Sequence, residues 1–256
     1  MPTSKTILIT GASSGIGAAL AVGYAVPGMT LLLLARNLER LEAVAQDCRA
    51  KGARVEVASV DVRDKAAMAA CIAQMDAATP IDLVIANAGI STGSFSGNET
   101  LEAAEAVFAI NLSGVIHTIH PIIPRMKARG RGHLAIMSSL AGICALPSAP
   151  AYSASKAVVR YYGDALRGEL KRHAIKVSVI CPGWITTPLT DKNDFPMPFI
   201  MPVERAAERI MHGLWKKKRR IAFPLRLYFP LRVLMVLPVC VTDFFFARLL
   251  GNQGKP

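Results

Sequence analysis

Short apolar runs alternate with helical patterns along most of the chain, and this alternation limits the possible folds more than any other feature of the sequence. Runs such as Thr6–Thr10 and Leu31–Ala35 lack the polar alternation of a half-exposed strand. Continuous apolar runs are typical of parallel strands that are buried on both faces and joined by right-handed helical crossovers. The sequence therefore predicts an α/β fold, a doubly wound parallel sheet with helices on both faces.

The elements can be placed from hydrophobic periodicity and from the glycine and proline residues that interrupt it. The predicted strands are Thr6–Thr10, Leu31–Ala35, Arg54–Val62, Ile81–Ala86, His133–Ser138 and Lys176–Ile180. The predicted helices are Ile16–Ala25, Leu38–Lys51, Lys65–Asp76, Leu101–Arg129, Tyr152–His173 and Val203–Lys218. We expect one domain over residues 1–223 and a basic, apolar C-terminal appendage over residues 224–256.

The composition indicates a large core in a reducing compartment. Of the 256 residues, 52% are apolar and 19% are charged, which excludes a disordered chain. The five cysteines are scattered and form no C-x-x-C pair, so we expect neither a metal site nor a disulfide scaffold. The first residues lead directly into a strand, so we expect no secretory signal and a cytoplasmic location.

Charge is distributed unevenly along the chain. The net charge is +12, yet residues 203–256 hold eleven of the 30 Lys and Arg residues and three of the 18 Asp and Glu residues. The basic character therefore belongs mainly to the C-terminal region. A basic footprint over the whole surface is not indicated, and we expect no nucleic-acid partner.

A glycine-rich turn, Thr10–Gly17, joins the first predicted strand to the first helix. Glycine permits a tight turn and lets backbone N–H groups approach a pyrophosphate, which the helix N-terminus also attracts. The G-x-x-x-G-x-G spacing differs from the general G-x-G-x-x-G fingerprint, and a purely structural turn is the alternative. The turn predicts a Rossmann-like nucleotide site. Its candidate residues are Gly11, Ser13, Ser14, Gly15, Ile16 and Gly17.

The second predicted strand ends in Ala35-Arg36-Asn37. Sites selective for NAD place an acid here to hold the ribose hydroxyls, whereas an arginine accommodates the 2′-phosphate of NADP. Arg36 therefore predicts NADP(H), and a solvated arginine at a strand end is the alternative.

Tyr152 and Lys156 lie four residues apart and so share one face of a predicted helix. A nearby ammonium stabilises a phenolate, so we expect Lys156 to lower the pKa of Tyr152 and make it a general acid or base. Ser139 follows a predicted strand and would face the same crevice, where its hydroxyl can stabilise a developing oxyanion. An ordinary turn or cap residue is the alternative for Ser139.

Six motifs in this order resemble those of the short-chain dehydrogenase/reductases from about Thr6 to Phe223. They are Thr10–Gly17, Asp61-Val62, Asn87-Ala88-Gly89, Asn111, the Ser139, Tyr152 and Lys156 set, and Pro182–Thr187. The resemblance also places a last strand at Arg220–Phe223. It implies that Asn111, Ser139, Tyr152 and Lys156 are catalytic, with Asn111 supporting a water chain to Lys156. A helix kink or a satisfied core amide is the alternative for Asn111.

The resemblance also implies a cofactor site. Asp61 and Val62 would contact the adenine, and Lys156 would hold the nicotinamide ribose beside Tyr152. The residues implied to shape the adenosine side are Asn87, Ala88 and Gly89, and those implied to seat the carboxamide are Pro182, Gly183, Ile185 and Thr187. The segment between Thr187 and Val203, which forms the substrate lid in the family, is short and rich in proline and apolar residues. We expect an apolar pocket wall there, with a purely structural loop as the alternative.

Residues 221–250 are not explained by the resemblance. Of these 30 residues, 22 are apolar and six are aromatic, and the segment follows the basic run Lys216–Arg220. Charges interrupt it before the roughly 20 apolar residues that a spanning helix needs. We expect peripheral association with the inner face of a membrane, with packing on the protein's own lid or on a second subunit as alternatives.

Together these features predict an NADP(H)-dependent oxidoreductase that interconverts a carbonyl and a secondary alcohol on an apolar, lipid-, steroid- or long-chain-like substrate. The alternatives are a 3-oxoacyl-acyl-carrier-protein reductase and a non-catalytic NADP-binding scaffold at a membrane surface. The resemblance further implies a homodimer or tetramer, paired through the two long helices Leu101–Arg129 and Tyr152–His173. The substrate and the physiological direction are left open.

Overall fold

In a computed structural model, residues 5–91, 99–191 and 197–244 are described, and they form one sheet flanked by helices. Seven parallel strands lie in the order β3-β2-β1-β4-β5-β6-β7. The strands are β1 (Thr6–Thr10), β2 (Thr30–Ala35), β3 (Arg54–Ser59), β4 (Leu83–Ala86), β5 (Gly132–Met137), β6 (Ile175–Pro182) and β7 (Arg220–Phe223). The α-helices are α1 (Gly15–Tyr24), α2 (Leu38–Ala50), α3 (Lys65–Ala78), α4 (Leu101–Phe108), α5 (Gly114–Ile119), α6 (Ile123–Arg129), α7 (Pro150–Leu170), α8 (Val203–Trp215) and α9 (Leu225–Leu234). The predicted fold class is confirmed.

Each central strand supplies side chains to two cores, one on either face of the sheet. In β1, Ile7 and Ile9 pack into the core beneath α1, α2 and α8, whereas Leu8 packs into the core beneath α3 to α7. Successive side chains of a strand point to opposite faces, so a run that must fill both cores is apolar at every position. This explains the uninterrupted apolar strands of the sequence.

The sheet reverses its order between β1 and β4. The chain builds outward from β1 to β2 and β3, and then returns to place β4 on the other side of β1. Ligands of open parallel sheets bind outside the carboxyl ends of the strands at such a switch point. The turns that follow β1 and β4, at Gly11 and Asn87, meet at this point.

The predicted helix Leu101–Arg129 is divided in the structure. α4 runs into a π-helical turn, Ala109–Ser113, before α5 and α6 complete the segment. Among the described residues this is the one helical segment long and apolar enough to cross a membrane by composition, and half of its most apolar stretch is buried inside the domain. Its apolar character is accounted for by packing against β4 and β5.

Candidate active site

A cavity of about 1050 Å³ lies at the carboxyl ends of the strands. Small-molecule sites commonly enclose about 300–1,000 Å³, so this cavity has room for a dinucleotide and a substrate together. The sequence-predicted residues that line it are Gly11, Ser13, Ser14, Gly15, Ile16, Arg36, Asp61, Val62, Asn87, Ala88, Gly89, Ser139, Tyr152, Lys156, Pro182, Gly183, Ile185 and Thr187. Gly17 and Asn111 do not line it, and both act from behind the wall.

The glycine turn has the backbone shape that a phosphate cradle requires. Gly11 and Gly15 have φ angles of +66° and +54°, which side-chain-bearing residues rarely adopt. A Cβ at Gly17 would lie 2.2 Å from the Gly11 carbonyl oxygen, so Gly17 allows the helix to pack against the turn. Ser14, the N-cap of α1, makes no side-chain capping bond, so the first N–H groups of α1 are left to a ligand.

Asn87 fastens the glycine turn to the end of β4. Its Nδ2 donates to the carbonyl oxygens of Thr10 at 3.0 Å and Gly11 at 3.3 Å. The backbone N–H groups of Asn87 and Ala88 donate in turn to the Thr10 hydroxyl at 3.1 and 3.2 Å. Asn87 therefore holds the cradle in place in addition to lining the cavity.

One end of the cavity is strongly basic. Arg36 and Arg40 line it with exposed guanidinium groups, one from the end of β2 and one from the first turn of α2. Asp61 lies at the same end, but Arg63 donates to its Oδ2 from Nη2 at 2.6 Å and from Nε at 2.9 Å. These hydrogen bonds hold the pKa of Asp61 below its ordinary value. Sequence analysis missed Arg40, although its place in the first turn of the predicted helix that follows Arg36 was a usable signal.

α7 places Tyr152 and Lys156 on its cavity side, four residues apart. The Ala151 N–H donates to the Glu99 carboxylate at 2.9 Å, and the Ser138 hydroxyl donates to the Lys156 carbonyl at 2.7 Å. A Cβ at Gly142 would lie 2.5 Å from the Lys156 carbonyl, so only glycine lets the turn after β5 approach α7 this closely. The start of α7 is thereby held against the ends of β5 and its following turn.

Ser139 fulfils both of the roles considered for it. Its Oγ accepts a hydrogen bond from the Ala141 N–H at 3.1 Å and so caps the short 3-10 turn Leu140–Gly142. The same side chain lines the cavity, donates to the Pro182 carbonyl at 3.4 Å, and lowers the pKa of the Tyr152 phenol. The capping bond orients the hydroxyl, and the cavity-facing position brings it to the phenol.

The protonation states of Tyr152 and Lys156 differ from the sequence-based expectation. Burial raises the pKa of Tyr152 above its ordinary value, and the hydrogen bond with Ser139 opposes this only in part. Burial also lowers the pKa of Lys156 to about 8. Its Nζ lies 5.7 Å from the Tyr152 ring centroid and donates to the Met137 carbonyl at 3.0 Å. The expected lowering of the tyrosine pKa is therefore wrong for this structure, because desolvation of the phenol outweighs the opposing effect of the Ser139 side chain.

Asn111 lies in the π-helical turn and is fully buried. Its Oδ1 accepts from the Ile90 N–H at 2.8 Å, and its Nδ2 donates to the Ile90 carbonyl at 2.9 Å and to the Ser155 hydroxyl at 3.1 Å. It flanks Gly89 together with the Lys156 Nζ. Asn111 thus links the segment after β4 to α7 at Ser155, next to Lys156, and its water-chain role stays a prediction.

The other end of the cavity is apolar, and its wall comes from distant parts of the chain. The apolar wall residues include Leu140, Cys144, Leu146, Leu189, Pro198, Leu227 and Leu231. Pro188, Leu189 and Pro198 of the expected lid contribute to it, whereas Met201 is buried in the core beside Ile185. Phe195 and Pro196 lie outside the described residues. Sequence analysis did not single out Leu227 and Leu231, although packing of the appendage on the protein itself was one of the alternatives considered for it.

Comparison with known proteins gives one family throughout. A family model for short chain dehydrogenases matches residues 5–196. The chain belongs to the short-chain dehydrogenase family. An uncharacterized oxidoreductase of Myxococcus xanthus is 36% identical over 246 residues, which are 96% of this chain and 97% of that protein. The ketoacyl reductase HetN of Nostoc is 33% identical over 185 residues, 72% of this chain and 64% of that protein.

Solved structures of the family share the fold. A short-chain dehydrogenase from Sphingobium yanoikuyae in complex with NADPH has a TM-score of 0.78 at 25% identity, covering 100% of this chain and 96% of that chain. A short-chain dehydrogenase from Mycobacterium paratuberculosis bound to NAD has a TM-score of 0.75 at 25% identity, covering 85% and 94%. The family match and the curated oxidoreductase relative identify this short-chain dehydrogenase as an oxidoreductase.

Proposed function

We propose that this short-chain dehydrogenase is NADP(H)-dependent and interconverts a carbonyl and a secondary alcohol on an apolar substrate. The observation that carries the proposal is the convergence of Ser139, Tyr152 and Lys156 on one cavity. That cavity has the glycine cradle on one side and an apolar wall on the other. A nicotinamide dinucleotide fits the cradle, because the glycine turn lines the cavity and the first N–H groups of α1 have no side-chain cap.

In the direction of reduction, Tyr152 is suited to act as the general acid. Its raised pKa keeps the phenol protonated at neutral pH, so it can donate its proton to the carbonyl oxygen. A reduced nicotinamide dinucleotide, when bound in the cradle, would supply the hydride that the carbonyl carbon accepts. Ser139 donates a hydrogen bond to the same oxygen as negative charge develops there. Lys156, with a pKa of about 8, carries a charge at neutral pH that stabilises the phenolate left behind.

Preference for NADP(H) is supported by the charges at the ribose end of the cavity. Arg36 and Arg40 are positioned to grip a 2′-phosphate, and Ala35 stands where an NAD-selective site carries an acid. The one carboxylate of this end among the described lining residues, Asp61, is neutralised by Arg63, so it does not repel a phosphate. Three arginines against one aspartate therefore favour the phosphorylated dinucleotide.

Tyr152→Phe is the direct test of the proposed chemistry. The change removes the proton donor and keeps the ring, so we expect kcat for ketone reduction to fall at least about a thousandfold while NADPH binding is retained. Tyr161→Phe, on the exposed face of the same helix, is the matched control and should leave kcat within twofold of the parent, a difference of about 0.4 kcal/mol. Retained turnover in Tyr152→Phe would refute the assignment.

A 3-oxoacyl-acyl-carrier-protein reductase is the second candidate, favoured by the similarity to HetN and by the basic C-terminal region. The basic run Lys216–Arg219 precedes β7, and Lys217 lines a small cavity with His133 at the amino edge of the sheet. It therefore lies away from the cavity mouth, which disfavours docking of an acidic carrier by this run. Comparing kcat/KM for an acyl-carrier substrate with that for a free apolar ketone decides between the two. If NADPH is not oxidised in the presence of either substrate, the non-catalytic scaffold is favoured.

We also propose a homo-oligomer that pairs through α4 and α7. Leu101, Phe108, Val158 and Tyr161 are large, exposed side chains on these two helices. Large exposed apolar groups on neighbouring helices favour burial against a partner. Light scattering on the intact chain measures the assembly, and Tyr161→Asp should weaken it.

A further inference from the structure

α9 is apolar on two opposite faces. On the inner face, Leu227, Tyr228 and Leu231 pack against the small cluster of Leu140, Val179 and Cys181, and Leu227 and Leu231 also line the cavity. Each apolar face of a helix is stabilised by burial against a partner. The inner face has its partner within the domain.

The outer face of α9 and the segment after it are exposed. Leu225, Phe229 and Val233 recur every four residues, and Val236 extends this stripe with 80% of its surface exposed. Nine of the nineteen large hydrophobic residues that are exposed in the described chain lie within residues 225–244. Single exposed apolar residues need no explanation, but a contiguous patch of this kind indicates an interaction surface.

The charges around the patch distinguish between occupants. Arg226 and Arg232 are exposed within it, and Asp243 is the one acid in residues 224–244. A second copy paired on this surface would bring like charges together, whereas an anionic bilayer would attract the arginines. The charges also divide the segment into stretches too short to span a bilayer, which suits a surface-lying helix.

We propose that the exposed face of residues 225–244 docks on an anionic lipid bilayer, with the mouth of the substrate cavity beside it. The inner face of α9 forms part of the cavity wall while its outer face contacts lipid. An apolar substrate can then pass from the bilayer into the cavity alongside α9. This route of entry rests on the proposed oxidoreductase function, whereas the docking itself does not.

Cys240 provides a probe within the patch. Of the five cysteines it is the exposed one, since Cys48, Cys144 and Cys181 are buried and Cys71 is half-buried. Labelling Cys240 with a polarity-sensitive fluorophore reports whether this segment enters lipid. We expect a blue shift and flotation of the full-length protein with phosphatidylcholine vesicles that contain phosphatidylglycerol, and much weaker effects with phosphatidylcholine alone.

The variant Val236→Asp tests the surface, with Val26→Asp as the matched control. Val26 is an exposed valine in the turn after α1, so the same substitution is made far from the patch. We expect Val236→Asp to weaken vesicle partitioning about tenfold and Val26→Asp to leave it within about twofold. Thermal melting of both variants checks that the fold is intact.

Three outcomes would overturn the proposal. The first is a parent protein that stays unbound to either vesicle type, and the second is equal binding to neutral and anionic vesicles, which would remove the role of the arginines. The third is a Val236→Asp variant that loses an oligomeric state by light scattering while its vesicle binding is unchanged, which would assign the patch to a second copy. Turnover of a water-soluble ketone without vesicles is measured separately, so failure of the enzymatic proposal is distinguishable from failure of docking.

Discussion

The amino edge of the sheet, where the strands begin, and the carboxyl edge, where they end, each bury a charged group, but in opposite ways. At the amino edge, the Asp76 carboxylate accepts hydrogen bonds from Arg129 at 2.7 and 2.8 Å and from the Ile81 N–H at 2.9 Å. At the carboxyl edge, Lys156 is buried with the Met137 carbonyl as its acceptor in the described structure, and its pKa is lowered to about 8.

This difference separates groups that support folding from groups that support chemistry. A buried charge with an opposite charge and several hydrogen bonds is compensated, whereas a buried charge with a single neutral acceptor raises the free energy of the folded state. Active sites accumulate the second kind, because perturbed pKa values are what proton transfer requires. Substitutions at the two edges should therefore change different measurements.

Lys156→Met should give the largest effect and separate activity from stability. We expect kcat/KM to fall at least about a thousandfold, because the phenolate of Tyr152 loses its neighbouring cation. At pH 7 the free energy of unfolding of the variant should be about 1–3 kcal/mol higher than that of the parent. A lysine pKa lowered from 10.5 to about 8 represents roughly 3 kcal/mol of unfavourable burial. Loss of the hydrogen bond to the Met137 carbonyl offsets part of this gain.

The pH dependence of that stability gap has a definite sign. Between about pH 8 and 10.5 the unfolded state still binds the lysine proton that the folded state has released, so the parent gains stability as the pH rises. The gap between parent and variant should narrow over this range in denaturant titrations. A Lys156→Met protein that is markedly less stable than the parent at pH 7 would show that the buried lysine charge stabilises the fold, as the charge of Asp76 does.

Asp76→Asn should do the reverse at the amino edge. The change leaves the largely buried Arg129 without its counter-ion while keeping the shape of the side chain, and we expect the free energy of unfolding to fall by about 3 kcal/mol. Ketone turnover at 25 °C should be unchanged, since Asp76 is remote from the cavity. Glu42→Gln, which removes a surface ion pair with Arg49, is the control and should cost less than about 1 kcal/mol.

His133→Gln should remove an acid sensitivity of the fold. Burial, aided by Lys217 and Lys176, lowers the pKa of His133 to about 4 from its ordinary 6.5. As the pH falls from 6.5 to 4, the unfolded state takes up a proton that the folded state does not, so the parent should lose about 2–3 kcal/mol that the variant retains. Equal acid sensitivity of parent and variant in urea titrations at pH 7 and pH 4.5 would contradict this account.

Arg36→Ala should give the smallest free-energy change, and the change should affect only the use of NADPH. We expect kcat/KM with NADPH to fall about thirtyfold and that with NADH to change little, because only the former carries the 2′-phosphate. The control is Arg54→Ala, since Arg54 is an exposed arginine on β3 bonded to Glu56. This variant should leave kcat/KM unchanged with NADPH and with NADH. Parallel losses with the two cofactors would mean that Arg36 does not read the phosphate.

Much of the active site could be predicted because its motifs depend on local backbone requirements. The glycines with positive φ and the four-residue spacing of Tyr152 and Lys156 are written in short stretches of sequence. Gly17 was predicted to bind the cofactor and Asn111 to be catalytic, but neither lines the cavity: Gly17 packs the helix against the turn, and Asn111 joins two segments from behind the wall. Whether such a residue touches a ligand depends on which segments pack around it.

The sequence alone determined the parallel sheet, the phosphate cradle and the residues that meet at its carboxyl edge, because strand burial, glycine torsions and helical spacing are local properties. Only the tertiary structure decided how deeply Tyr152 and Lys156 are buried, and therefore the direction in which each pKa moves. It also decided that Arg40 joins Arg36 and that α9 closes the apolar end of the cavity while its other face stays exposed. These are properties of distant segments brought together, and desolvation and enclosure exist only once those segments are packed.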